Sequence, residues 1–287
     1  MKYVAYRYLM NVLIVLRPAF AVILLVVSPL ASSRAGVTVY PTEVFAKPPN
    51  RSAPVAITNS SDSEVEIWIS FEYTYPVGFD TGSVVFATPE ANDPDEPSSS
   101  TWVRAIPERF TLKGRESQVV RLYCSPPPGL RNGEYWARVV VSSKDRKPAV
   151  ALDDQPKMGM DFITRAIIPF HFRSGPTTTG ISIREANAHP MGSAIRLNVI
   201  LDRTGNASFW GRMTVRLFSS GGKLVRTKEY RIVTYKSFSY RTDFDVSGEP
   251  PGQYTLELAF DNKHPGLKSE FRIPSAPVMQ RLSVIVP

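Results

Sequence analysis

From Gly36 onward the apolar residues recur at every second position in short runs, and clusters of proline, glycine, asparagine and serine interrupt them. A period of two puts successive side chains on opposite faces of an extended strand, and punctuated alternation of this kind marks an all-β sandwich. The 25 prolines scattered along the chain also leave little room for helices. A first series reads VTVYPTEV, APVAITN, EVEIWISFEY, ERFTLK, QVVRLYC, EYWARVVVSS and FITRAIIPFHF. A second reads GISIREA, AIRLNVILD, GRMTVRLFS, KLVRTKEYRIV, FSYRTDFDV, QYTLELAF and RLSVIVP. Each series has the seven runs of one immunoglobulin-like sandwich. The fold class is therefore all-β, with domain one over residues 36–173 and domain two over residues 174–287. Ser174, Gly175 and Pro176 form the linker, with hinge freedom expected at Gly175. Two segments read as long polar loops, Pro89 to Ser100 and Ser142 to Gln155.

Residues 1–35 are different in kind. Lys2, Arg7, Arg17 and Arg34 flank a short apolar run, no carboxylate occurs, and Ser33 and Ala35 stand three and one before Gly36. This is the pattern of a secretory signal peptide, with cleavage expected before Gly36. Its apolar core is too short for a spanning helix, so no stable membrane insertion is expected after cleavage. The mature chain is then exported, to the periplasm or the cell surface. The leader carries four of the basic residues, so the net charge of +8 falls to +4 without it. That charge, with no basic stripe interleaved with aromatics, does not point to nucleic acid.

Catalytic and metal chemistry find no foothold. His171, His189 and His264 are the three histidines, far apart and without cysteine or carboxylate at ligand spacing, so no metal site is expected. No nucleophile elbow, phosphate loop or dinucleotide fingerprint occurs, so neither catalytic residues nor cofactors are assigned. The single cysteine, Cys124, lies in the strand pattern VVRLYCS and reads as a small buried hydrophobe. Asn59 and Asn206 begin N-x-S triplets and read as loop residues. The four tryptophans read as core.

The pieces VTVYPTEV, APVAITNSS, IPERFTLKGRESQVVRL, GEYWARVVVSS and IIPFHFR, in this order, make domain one resemble the PapD-like periplasmic chaperones of pilus assembly. The resemblance implies a protein partner, a pilin-like subunit whose incomplete sheet accepts the last strand of domain one. The matching partner-binding row is Met158, Met160, Phe162 and Thr164, continuing through Ala166, Ile168, Phe170 and Phe172, of which Ile168 to Phe172 read as core. The family also holds the subunit's terminal carboxylate with an arginine in the first strand and a lysine in the last. Here those positions fall at or beside Glu43 and at Pro169, which leaves Arg165, Arg173 or Arg104 as substitutes. The alternative is an extracytoplasmic structural or adhesive protein built from the same sandwiches without chaperone activity.

Overall fold

The computed structural model describes residues 36–89, 96–145 and 162–286. Domain one is a two-layer sandwich. One layer joins β1 (Val37–Tyr40), β3 (Ser52–Asn59), β9 (Ser117–Cys124) and β7 (Val103–Ile106) in the order β1-β3-β9-β7. The other joins β2 (Val44–Ala46), β11 (Ile163–Ser174), β10 (Gly133–Asp145), β4 (Val65–Glu72) and β8 (Arg109–Leu112) in the order β2-β11-β10-β4-β8. The alternation does the work anticipated for it. Val55 and Ile57 of β3, Ile67 and Ile69 of β4, Val120 and Leu122 of β9, and Val139 and Val141 of β10 all point into one core. The run VTVYPTEV is not one strand but two, because the chain leaves the first layer after Tyr40 and joins the second at Val44.

Domain two packs a three-stranded sheet, β12 (Thr179–Met191), β13 (Ala194–Gly205) and β16 (Ser237–Asp245), against a four-stranded one. The latter runs β15 (Leu224–Thr234), β14 (Phe209–Ser219), β17 (Gly252–Asp261) and β18 (Val278–Val286). A separate core fills the space between them, including Leu197, Val215, Phe244, Leu256 and Phe260. No helix among the described residues is long and apolar enough to cross a membrane.

The structure corrects several local expectations. Ser142 to Asp145 continue β10, with Ser142 and Ser143 buried, so the polar loop does not begin there. Its remainder lies outside the described residues. The end of the acidic segment is tied down rather than loose: Trp136 N donates to Pro97 O at 2.9 Å and Ser99 N to Trp136 O at 3.0 Å. An unforeseen hairpin, β5 (Tyr75–Gly78) and β6 (Val84–Ala87), leaves domain one and lies against β16 of domain two. Gly78 makes that approach possible, since a Cβ there would stand 2.2 Å from Ser239 O.

Of the two N-x-S asparagines, Asn206 lies in the turn between β13 and β14 as expected, whereas Asn59 ends β3. Asn59 is fully buried, donating to Ser63 O at 2.7 Å and Lys113 O at 2.9 Å while its Oδ1 accepts from Ser61 N. Cys124 is buried as expected, and burial pushes its thiol up to about 12, so it stays protonated and unreactive.

Candidate functional site

β11 is hydrogen-bonded to β10 along its whole length, from Lys144↔Ile163 to Gly133↔Ser174. On its other side β2 covers only Phe170, His171 and Phe172. Among the described residues, no strand pairs with the stretch from Ile163 to Pro169 on that side. An unpaired edge of this kind is a template for another strand unless it is blunted.

The side chains along this edge change character with position. On the face that continues the core of domain one, Phe162 is 70% exposed and Thr164 is exposed, Ala166 is half-buried, and Ile168, Phe170 and Phe172 are buried. The row named from the sequence thus runs off the end of the core at Ala166. Met158 and Met160 lie outside the described residues. On the opposite face Ile163 and Ile167 are 53% and 48% exposed, with exposed Arg165 between them. The partner-binding row named from the sequence lies on the other face, so neither isoleucine was assigned to the site.

The three arginines proposed as a carboxylate anchor do not stand together. Arg165 is exposed on the free half of β11. Arg104 belongs to β7 in the opposite sheet, away from this edge, and donates to Val103 O at 3.0 Å. Arg173 is buried and engaged: its Nε donates to Glu134 Oε2 at 2.7 Å and its Nη1 to Phe271 O at 2.5 Å. Glu43 and Pro169 each precede one member of the Val44/Phe170 pair, so they are neighbours on one face at the end of the free edge. Pro169 is paired across the sheet with Arg138, a residue not singled out from the sequence. The Arg138 guanidinium is buried over the Phe86 and Tyr235 rings, at 5.2 and 5.3 Å, and donates to Thr74 O. No carboxylate among the described residues lies within ion-pair distance of it.

Beyond Pro169 the outer face of β10 and β11 is sealed by domain two. Glu134 is fully buried there and accepts four hydrogen bonds. Arg173 Nε reaches its Oε2, while its Oε1 takes His171 Nδ1 at 3.1 Å, Ser208 N at 3.2 Å and the Ser208 hydroxyl. Burial alone would raise the Glu134 carboxyl, but His171, Arg173 and Ser208 together hold it below the ordinary carboxylate range. Rings from both domains stack through the joint. Phe271 lies on Phe45 (5.0 Å), Phe45 on His171 (4.6 Å) and His171 on Tyr235 (5.6 Å), with Trp210 edge-on to His171 at 5.3 Å. Such offset stacks and edge contacts add about 0.5–1.5 kcal/mol each beyond the area they bury.

The linker is held by the same joint. Gly175 has φ +60°, and a Cβ there would meet Asn132 Oδ1 at 2.0 Å. Asn206 donates to both Asn132 O and Pro176 O at 3.2 Å, and its own O accepts from Glu134 N at 2.9 Å. In this closed arrangement the linker is thus hydrogen-bonded to both domains.

This geometry belongs to a two-domain β-sandwich chain with a bare strand edge beside a closed joint. No protein-family model matches the chain, and no curated protein does. Among solved structures it is similar to chaperones of pilus assembly. For the Salmonella enterica SafA pilin in complex with the SafB chaperone the identity is 13%, over 86% of this chain and 96% of that one, at a TM-score of 0.40. For the Acinetobacter baumannii CsuC–CsuE chaperone–tip subunit complex the identity is 12%, over 85% and 98%, at 0.43. For the E. coli chaperone DraB it is 13%, over 88% and 97%, at 0.39.

Proposed function

We propose that the chain is an exported chaperone of pilus-type assembly, which caps an incomplete partner subunit by lending it a strand. The observation that carries this reading is the bare edge of β11 from Ile163 to Pro169, flanked by exposed Phe162, Thr164, Ile163 and Ile167. Strand addition needs both features. Unpaired N–H and C=O groups supply the ladder, and alternate side chains fill the acceptor's groove. In the sequence Met158 and Met160 continue the same alternation, and methionine repacks readily against varied partners. The partner is a protein, a pilin-like subunit with an open sheet. The reading requires no cofactor, metal, nucleic acid or reaction. The leader ending at Ala35 takes the chain to the periplasm.

A second reading, an extracytoplasmic structural or adhesive module, draws on Glu43. That carboxylate, hydrogen-bonded by Thr42 at 2.8 Å, sits where the resemblance would put a cation for the subunit's terminus. One variant separates the two readings. Phe162→Asp should leave the free protein's stability within about 0.5 kcal/mol of wild type, because the side chain is exposed. It should also cut co-purification of pilin-like envelope subunits by roughly 100-fold, since a carboxylate entering an apolar groove costs several kcal/mol. Unchanged capture by Phe162→Asp would favour the structural module.

A further inference from the structure

We propose that the buried chain Glu134–His171–Tyr235 is a proton-operated clamp, which holds the two sandwiches together while His171 is neutral and releases them when it takes up a proton. This inference is independent of what the β11 edge binds. His171 is fully buried, and its two ring nitrogens face opposite domains. Nδ1 is 3.1 Å from Glu134 Oε1 on β10, and Nε2 is 3.2 Å from Tyr235 Oη in the turn between β15 and β16. An ionised carboxylate only accepts, so Nδ1 carries the hydrogen, and the bare Nε2 accepts from the Tyr235 hydroxyl. The neutral ring thus donates within domain one and accepts from domain two, and every group in the chain is satisfied.

A second proton would go on Nε2 and point at Tyr235 Oη. The hydroxyl would have to turn away and find another acceptor inside a ring stack. The charges facing His171 oppose the step further. Arg138 from β10 and Arg173 from β11 are both adjacent, Arg203 from β13 lies near Glu134, and Lys236 is ion-paired with Glu96. The negative groups are Glu134, already shared by Arg173 and Ser208, and Glu43 ahead of β2. His264, across Trp210 from His171, is a further titratable group at this joint. Burial, with Arg138 and Arg173, holds the His171 ring below its ordinary value of 6.5, despite the opposing pull of Glu134.

The sign follows from linkage. With the joint closed His171 stays neutral at a pH where an exposed histidine is protonated, so the open state binds the extra proton. Closure is complete above the ordinary value of 6.5 and weakens as the pH falls below it. One proton makes the ratio of open to closed molecules rise about tenfold per pH unit, until the pH reaches the lowered value of the closed state.

The test uses the full chain with spin labels at Lys113→Cys in domain one and Lys223→Cys in domain two, together with 15N spectra of the three histidine rings. At pH 8 a single label distance and an Nδ1–H neutral His171 are expected. Below pH 6.5 a second, longer distance should grow at the tenfold slope, in step with His171 protonation, while the circular dichroism of the strands is retained. His171→Phe keeps the ring stack but not the proton, and should show one distance at every pH. A distance that stays constant while His171 titrates would overturn the clamp. So would the same acid opening in His171→Phe, an Nε2–H tautomer at pH 8, or loss of strand signal together with the distance change. If the variant does not fold, agreement or disagreement between the wild-type ring titration and the label distance decides. The separate ring signal of His264 distinguishes its titration from that of His171.

Discussion

Glu134→Ala should cost the protein about 3–5 kcal/mol, because it leaves the Arg173 guanidinium buried without its counter-charge. The same change strands both donors of Ser208 and the Nδ1–H of His171, all of which end on this one carboxylate. Glu134→Gln should recover little, since it restores an acceptor but not the charge. Removing the cation as well, in Glu134→Ala with Arg173→Met, should return a large part of the loss. Residues that share one buried network are not additive. Urea unfolding at pH 7.5 reads all three variants, and a loss under about 1 kcal/mol for Glu134→Ala would show that the joint contributes little. The carboxyl is held below its ordinary value of 4.5, so its stabilisation is fully present above that pH. It is lost as the pH falls through the lowered folded value, a loss that Glu134→Ala should no longer show.

Phe170→Ala should cost about 3–5 kcal/mol, whereas Phe162→Ala, on the same face of the same chain segment, should cost no more than about 0.5 kcal/mol. Phe170 is fully enclosed by the core of domain one, and its removal leaves a cavity that rigid strands on both sides cannot close. Phe162 stands eight residues earlier, beyond the last residue of the core. A difference this large between two phenylalanines in register locates the end of the core directly. Equal costs would mean that the exposed half of β11 packs against something in the free protein, and the edge would then not be available. Thermal or urea unfolding of the two variants, side by side with wild type, is sufficient.

The two phenylalanines also show what alternation in a sequence conveys and where it stops. The period of two assigned both to one face of one strand, and it located the strands of both cores. It carries no mark for the point at which the facing sheet ends: Ile168 to Phe172 read as core and are buried, but the place where the row leaves the core, at Ala166, is seen only in the structure. The joint was illegible for a related reason. Glu134, Arg138, His171 and Arg173 alternate with core residues in EYWAR and PFHFR, which is how a solvated outer face reads. Only the second domain, through Ser208, Trp210 and Tyr235, makes that face an interior, and contacts across about 40–100 residues of chain leave no periodic trace. The hairpin β5–β6 escaped because its strands are four residues long and do not alternate: β5 is half-buried on both faces, and β6 exposes Val84, Val85 and Phe86 in succession. Gly175 has a second role that the sequence does not show. A glycine in a short linker suggests freedom, and this one is also required by its positive φ and its close approach to Asn132.

The central claim is that β11 supplies its free edge to another chain, and amide exchange along that strand tests it most directly. In the free protein, the amides between Ile163 and Ile168 that point away from β10 should exchange fast, while those beside β2 at Phe170 to Phe172 should be slow. Adding a pilin-like subunit should bring the fast set down to the rates of ladder amides and leave the slow set as it was. A stable complex in which the Ile163–Ile168 amides exchange as fast as before would contradict the account.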